Sequence, residues 1–407
     1  PLYLAYDFQA AILVGILFLL GFILIKRISH DNFKAFISSL LMVYAGSPIF
    51  LNGIKEMPIL YNLSILHQET VAPFKFIGDA IFSDFSIPAL RNMLTIPWTS
   101  LAFSLIMVII YLYFYLVGQK ANKIIFSLGG LLLALLALVA ETYFVALSLI
   151  LLIYPFAFGF IKKDWAKSRE FLFISFLILI IALPAAFLQG GVLTGVLAEL
   201  GTGEYHITGF AVGLDKLLAI SQTPWLLSYN RQPIYHPNFL AEWGLLFVLL
   251  IPALIFLFKR YFQLGLFLAL FLMIFFFTPF LVTFNNPISD GEMMRLFYPV
   301  NLLGGLAVGL FLGNLYLLAK KTILKRAMIF IIIILMTQTL LFQLLFLSVG
   351  YPVGAWNVAD KIYVKPNSLE GKAYGWIKTN TTIKDYFLII KKDYEKGGNV
   401  NYEFILN

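Results

Sequence analysis

The chain has 407 residues, of which 61% are hydrophobic and only 12% charged, with a mean hydropathy of +0.89. A soluble domain carries about 25% charged residues, so a soluble enzyme or binding domain is excluded and the chain reads as an all-α integral membrane protein. The formal charge of +8 does not point to nucleic acid, because the basic residues gather in short loops between apolar runs, and the absence of cysteine excludes disulfides, thiolate chemistry and Cys-ligated metals.

The first residue is Pro1 and no signal peptide is visible, so the sequence is expected to begin within a longer polypeptide. Apolar windows of about 20 residues mark membrane-spanning helices. Ten occur in order: Phe8–Ile25, Phe33–Leu51, Trp98–Gly118, Ile124–Ala140, Tyr143–Ile161, Phe171–Gln189, Phe239–Phe258, Phe262–Phe284, Phe297–Ala319 and Ala327–Val349. The fourth and fifth form one run broken only by Glu141 and Thr142, too long for one helix and right for two short ones with a tight turn.

The loops after the odd-numbered helices hold 15 basic residues against three acids: Lys26, Arg27 and Lys34; Lys120 and Lys123; Lys162, Lys163, Lys167 and Arg169; Lys259 and Arg260; Lys320, Lys321, Lys325 and Arg326. Positive residues mark the cytoplasmic side, so both ends of this chain are expected outside, in a bacterial or archaeal plasma membrane. The outer side then holds the long segments, residues 52–97 and 190–238, and long loops are usually functional. In the first, Ile77–Leu90 has the pattern of a helix lying on the membrane surface. In the second, the glycine-rich LGTGEYHITGFAVG reads as a loop, since no strand precedes it. Residues 1–349 form the transmembrane domain. Composition changes sharply in residues 350–407, where eight lysines accompany a helix near Leu369–Thr379 and strands at Tyr386–Lys391 and Tyr402–Leu406, a small α/β segment.

Chemistry concentrates in ISDGEMMRLFYP, Ile288–Pro299, where Asp290, Glu292 and Arg295 fall within six residues between two apolar runs. Ionisable residues near lipid are costly and are kept where they pair or bind something charged. A guanidinium presents planar, bidentate donors to a phosphate, so Arg295 marks the rim of an outward-facing site for an anionic, lipid-linked substrate. The competing reading is an interfacial helix pair of Glu292 with Arg295, or snorkelling to headgroups. Glu141 is the one acid interrupting an apolar run. It could orient a substrate hydroxyl or pair with a base, or sit in a solvated turn with Thr142 capping the next helix. Arg231, Tyr235 and His236 lie just before the seventh helix with the composition of a sugar- or pyrophosphate-binding loop, and equally of an interfacial belt. Four histidines without metal-ligand spacing argue against a His-built metal site. Metalloprotease, P-loop, Rossmann and nucleophile-elbow motifs are absent, as are internal repeats and the paired broken helices of transporters.

Four stretches resemble the GT-C class of polytopic membrane glycosyltransferases: PLYLAYDFQAAILVG at Pro1–Gly15, ALVAETYFVALSLIL at Ala137–Leu151, GEMMRLFYPVNLLGGLAVGL at Gly291–Leu310 and LEGKAYGWIKTNTTIKDYFLII at Leu369–Ile390. The resemblance implies transfer of a sugar from a polyprenyl-phosphate carrier to an outward-facing acceptor. It implies that Arg295, helped by Arg231 or His236, binds the carrier phosphate. Glu141 and Glu292 would position the acceptor or a divalent metal ion, the one cofactor in view. In that class the catalytic acid lies in the first outer loop, which would precede Pro1; Asp7 sits too close to the membrane entry to be that residue. Membrane lipid and the lipid-linked sugar are the expected partners. The alternatives are a non-catalytic subunit held by other membrane proteins, and a transporter of a lipid-linked substrate.

Overall fold

Apolar runs that must bury their backbone polar groups inside lipid have one local solution, the helix. The structure, a computed structural model, describes residues 2–46, 97–116, 123–189, 194, 210–212, 237–284 and 293–349. Ten α-helices are described: α1 Leu2–Ser29, α2 Asn32–Tyr44, α3 Pro97–Leu116, α4 Lys123–Val139, α5 Glu141–Lys162, α6 Trp165–Leu188, α7 Pro237–Arg260, α8 Phe262–Leu281, α9 Phe297–Leu318 and α10 Thr322–Val349. A 3-10 turn, Met293–Leu296, leads into α9. Six stretches are long and apolar enough to cross a membrane: Ala11–Ser29, Trp98–Tyr115, Glu141–Lys162, Trp165–Leu188, Phe262–Pro279 and Phe297–Leu318. Large apolar side chains such as Leu19, Leu131, Phe160, Phe173 and Phe330 are exposed on the outside of the bundle. That surface suits hydrocarbon and is not tolerated in water at this extent, and the chain is an α-helical integral membrane protein.

The short connections are built by local chemistry. Asp31 and Asp164 cap α2 and α6, accepting hydrogen bonds from the backbone N–H of Lys34 at 2.9 Å and Lys167 at 3.0 Å. The residue before each, His30 and Lys163, takes a left-handed conformation, with φ of 54° and 55°, which reverses the chain in two residues. The run between α4 and α5 breaks at Ala140 alone (φ −154°, ψ 83°), and α5 begins with Glu141.

Prolines inside α5, α6, α7 and α8 each remove a helical donor. At Pro155 the orphaned acceptor is the Leu151 carbonyl, four residues back. Ser175 of α6 donates its hydroxyl to that carbonyl at 2.7 Å. Having spent its proton, Ser175 Oγ accepts from the Tyr113 hydroxyl of α3 at 3.2 Å. Around this relay Tyr113, Tyr154, Phe171 and Phe267 pack ring on ring at 4.9–6.0 Å, joining α3, α5, α6 and α8.

The most buried element is α9. It lies antiparallel against α2, and Gly305, Gly309 and Gly313 form the seam. A Cβ on Gly305 would meet the Leu41 carbonyl oxygen, one on Gly309 the backbone of Ser38 at 2.5 Å, and one on Gly313 the Lys34 Cα at 3.2 Å. The second expected span, Phe33–Leu51, is helical only to Tyr44; thirteen residues reach about 20 Å at 1.5 Å each, short of the hydrocarbon core of about 30 Å. At its end the chain leaves the helix, and the Gly46 N–H donates to the Leu335 carbonyl of α10 at 2.7 Å. Irregular backbone at such depth is tolerated where protein surrounds it; residues 47–96 lie outside the described residues.

Two further expectations are corrected. The eighth helix ends at Leu281, two residues after Pro279, and Val282–Phe284 forms a strand β2. Its partner β1 is Phe210–Val212, inside the glycine-rich stretch read as a loop. The register is antiparallel, Phe210 opposite Phe284 and Val212 opposite Val282. Three residues of alternation are too few to signal a strand in the sequence. The chain divides into two units, residues 1–352 and 353–407. All described residues lie in the first, so the expected α/β segment is outside them, as is the surface helix at Ile77–Leu90.

Candidate functional site at the N-terminal ends of α3, α5 and α9

The helix reversals carry the C-terminal ends of α1, α5, α7 and α9 and the N-terminal ends of α2, α6, α8 and α10 to one end of the bundle. There the cations rest on rings: Arg27 lies 4.4 Å from the centroid of Tyr115 and 5.9 Å from that of Tyr111, both near the end of α3. Lys162 lies 4.1 Å from Phe262 and Lys325 5.4 Å from Tyr316. Aromatic faces attract cations, and the basic rim is thereby held against the bundle.

Arg295 stands at the opposite end, on the 3-10 turn before α9. The turn is fixed to α5 because the Tyr143 hydroxyl donates to the Arg295 carbonyl at 2.8 Å. The side chain is half-buried, and its guanidinium carbon lies 4.9 Å from the ring centroid of Trp98, in the first turn of α3. Trp98 in turn packs on the Tyr143 ring at 5.9 Å. Tyr143 is fully buried, with Phe103 at 6.3 Å and Phe275 at 6.0 Å. Backbone and head of Arg295 are thus held by two different helices.

Glu141 opens the helix that carries Tyr143. It is the first residue of α5, two before Tyr143, and is half-buried. The structure replaces the expected cap through Thr142: the N-cap is Ala140, which offers no side-chain acceptor, and the carboxylate sits in the first turn, where the helix dipole favours it. The N-cap of α9, Leu296, likewise makes no side-chain cap bond. The starts of α3 and α5 and the turn before α9 therefore adjoin, joined by the Tyr143 bond to the Arg295 carbonyl and by the Trp98 ring between Arg295 and Tyr143. Thr99, beside Trp98, is fully buried, and its hydroxyl has no hydrogen-bond partner among the described residues. The charged residues at the starts of these elements are Glu141 on α5 and Arg295 on the turn before α9.

Of the residues expected from the sequence, Arg295 sits on the turn before α9 and Glu141 opens α5, two residues before the Tyr143 that bonds the Arg295 carbonyl. Glu292, Arg231, Tyr235 and His236 lie outside the described residues, so the Glu292–Arg295 pair does too. Among the described residues no group of three or more His, Asp or Glu side chains could hold a metal ion. Trp98, Thr99 and Tyr143 escaped the sequence reading. Each sits at the edge of an apolar run, where an aromatic or a threonine reads as an ordinary interfacial or helix-start residue. No family model matches the chain, and none of the curated proteins matches it.

Proposed function

We propose that this chain is the membrane part of a glycosyltransferase that takes a sugar from a polyprenyl-phosphate carrier on the extracytoplasmic face, with Arg295 binding the carrier phosphate. The observation that carries the reading is the placing of Arg295, fixed at backbone and head, where three helix N-termini meet at the end of the bundle away from the basic rim. Phosphate is the anion that a planar guanidinium suits best. Exposed apolar sides on the bundle let a long isoprenoid tail lie in lipid while its head reaches the junction.

In this reading the basic rim is cytoplasmic, the four helices beyond the six clear spans also belong to the membrane bundle, and the outer segments 52–97 and 190–238 cover the site. Glu141 orients the acceptor hydroxyl or receives its proton; Glu292, Arg231, Tyr235 and His236 contribute from the outer segments. The test is sugar transfer by the purified full-length protein in proteoliposomes loaded with a polyprenyl-phosphate sugar. Arg295→Ala should lower the rate by about 10–100-fold, the loss of one charged hydrogen-bonding group. A folded Arg295→Ala protein with the wild-type rate sinks the assignment.

A further inference from the structure

At the basic end of the bundle, the turn between α5 and α6 is exposed and yet firmly built. Asp164 caps α6, Lys163 reverses the chain in the left-handed conformation, and the Ser168 hydroxyl of α6 donates to the Pro155 carbonyl of α5 at 2.7 Å. Trp165 packs on Gly159 so closely that a Cβ there would meet the indole at 2.9 Å. The indole also meets the Phe160 ring edge-on at 5.0 Å. Held in this way, Trp165 still exposes 45% of its surface and Phe160 70%.

These two rings head two exposed stripes. On α6, Arg169, Phe173 and Phe176 follow Trp165 at helical spacing, and on α5 Phe156 and Ile153 precede Phe160; all are exposed. The contact of Phe160 with Trp165 joins the stripes at the turn. Arg169 is the cation set into this apolar face, one helical turn, about 6 Å, inside the level of Trp165. The turn and the start of α6 carry Lys162, Lys163, Lys167 and Arg169 against Asp164 and Glu170, and Asp164 is engaged in the cap. The local charge is positive.

We propose that this face of the α5–α6 pair binds an anionic phospholipid. The Arg169 guanidinium takes the lipid phosphate, Trp165 lies at the level of the headgroup, and the acyl chains run along Phe173, Phe176 and Phe156. The surplus of cations selects a headgroup with net negative charge over a zwitterionic one, whose ammonium they repel. The site is separate from the carrier-phosphate reading, since Arg295 stands at the opposite end of the bundle.

The test uses the full-length protein in phosphatidylcholine vesicles containing a fixed share of lipid brominated on its acyl chains, either phosphatidylglycerol or phosphatidylcholine. Bromine quenches tryptophan on contact. The sequence has six tryptophans, so the Trp165 signal is taken as the difference between proteins with and without Trp165→Phe. Brominated phosphatidylglycerol should quench that signal more than brominated phosphatidylcholine does. Arg169→Gln should reduce the preference about fivefold, the effect of one cation at a membrane surface, and Arg169→Lys should keep most of it. Both variants should melt with the wild type, because the side chain is exposed. Equal quenching of the wild type by the two lipids overturns the site. An Arg169→Gln protein that keeps the full preference also overturns it, because the charge of the whole basic end then draws the lipid without a site on this face.

Discussion

Single side chains in this protein are held by partners on other helices, and that makes their substitutions informative. Arg295 relies on Trp98 for the placing of its head. Trp98→Leu keeps an apolar filler but removes the attractive ring face, worth about 0.5–2 kcal/mol. The expected result is a raised KM for the carrier with a smaller effect on kcat, read from transfer rates at varied carrier concentration; Trp98→Phe should recover part of the loss. The relay behind Pro155 is a second case. Ser175→Ala strips the Leu151 carbonyl and the Tyr113 hydroxyl of their partners, at about 1–3 kcal/mol for a buried unsatisfied group. Pro155→Ala returns an N–H to Leu151, so the same serine substitution should cost less in that background. Unfolding of the four proteins of the cycle in detergent measures the difference, and equal costs in both backgrounds would show that the serine does not serve the proline gap.

Among the elements, the pair α2 and α9 depends on approach of backbone to backbone. Helices in membranes associate through such small-residue seams. Gly309→Ala forces a Cβ onto the Ser38 backbone, whereas at Gly304 of the same helix the nearest atoms are Leu250 and Leu246 side chains at 3.8–3.9 Å. Gly309→Ala should therefore destabilise by about 1–3 kcal/mol, as overpacking does, and Gly304→Ala should leave the melting temperature nearly unchanged. The kink of α7 makes a related demand: Gly244 adopts φ 48° and ψ −137°, open to glycine and strained for any other residue.

The ten described helices each fall on an apolar window of the sequence, and six of them are long and apolar enough to cross a membrane; the break expected at Glu141 and Thr142 falls one residue earlier, at Ala140. The seam was written as glycines four apart in LLGGLAVGLFLG, but its partner could not be read. Which helix fills a stripe of glycines is a matter of tertiary packing. The early end of α2 was hidden for a similar reason, since the run stays apolar past Tyr44 and only the hydrogen bond of Gly46 to α10 marks where the helix stops.

At the scale of the whole molecule, the charge pattern and the packing agree. The basic loops after the odd-numbered helices were expected on one side, and the described helix ends bring Arg27, Lys162, Lys259 and Lys325 to one end of the bundle and Arg295 to the other. Part of the candidate site was likewise visible: Arg295 and Glu141 stand out as charges in apolar surroundings. Trp98, Thr99 and Tyr143 do not, because their significance comes from three helices converging, which no local window contains. The side of the membrane on which this convergence opens decides whether it can serve an outward-facing carrier.

The chain has no cysteine, so single cysteines report cleanly on both position and occupancy. The most direct measurement introduces Thr142→Cys at the junction, with Lys321→Cys at the basic rim as its control, in sealed right-side-out vesicles. An impermeant maleimide added outside should label Thr142→Cys and not Lys321→Cys, and polyprenyl phosphate should slow the labelling of Thr142→Cys. Labelling of Thr142→Cys only from within, or at a rate that polyprenyl phosphate leaves unchanged, would contradict the outward-facing phosphate site on which the account rests.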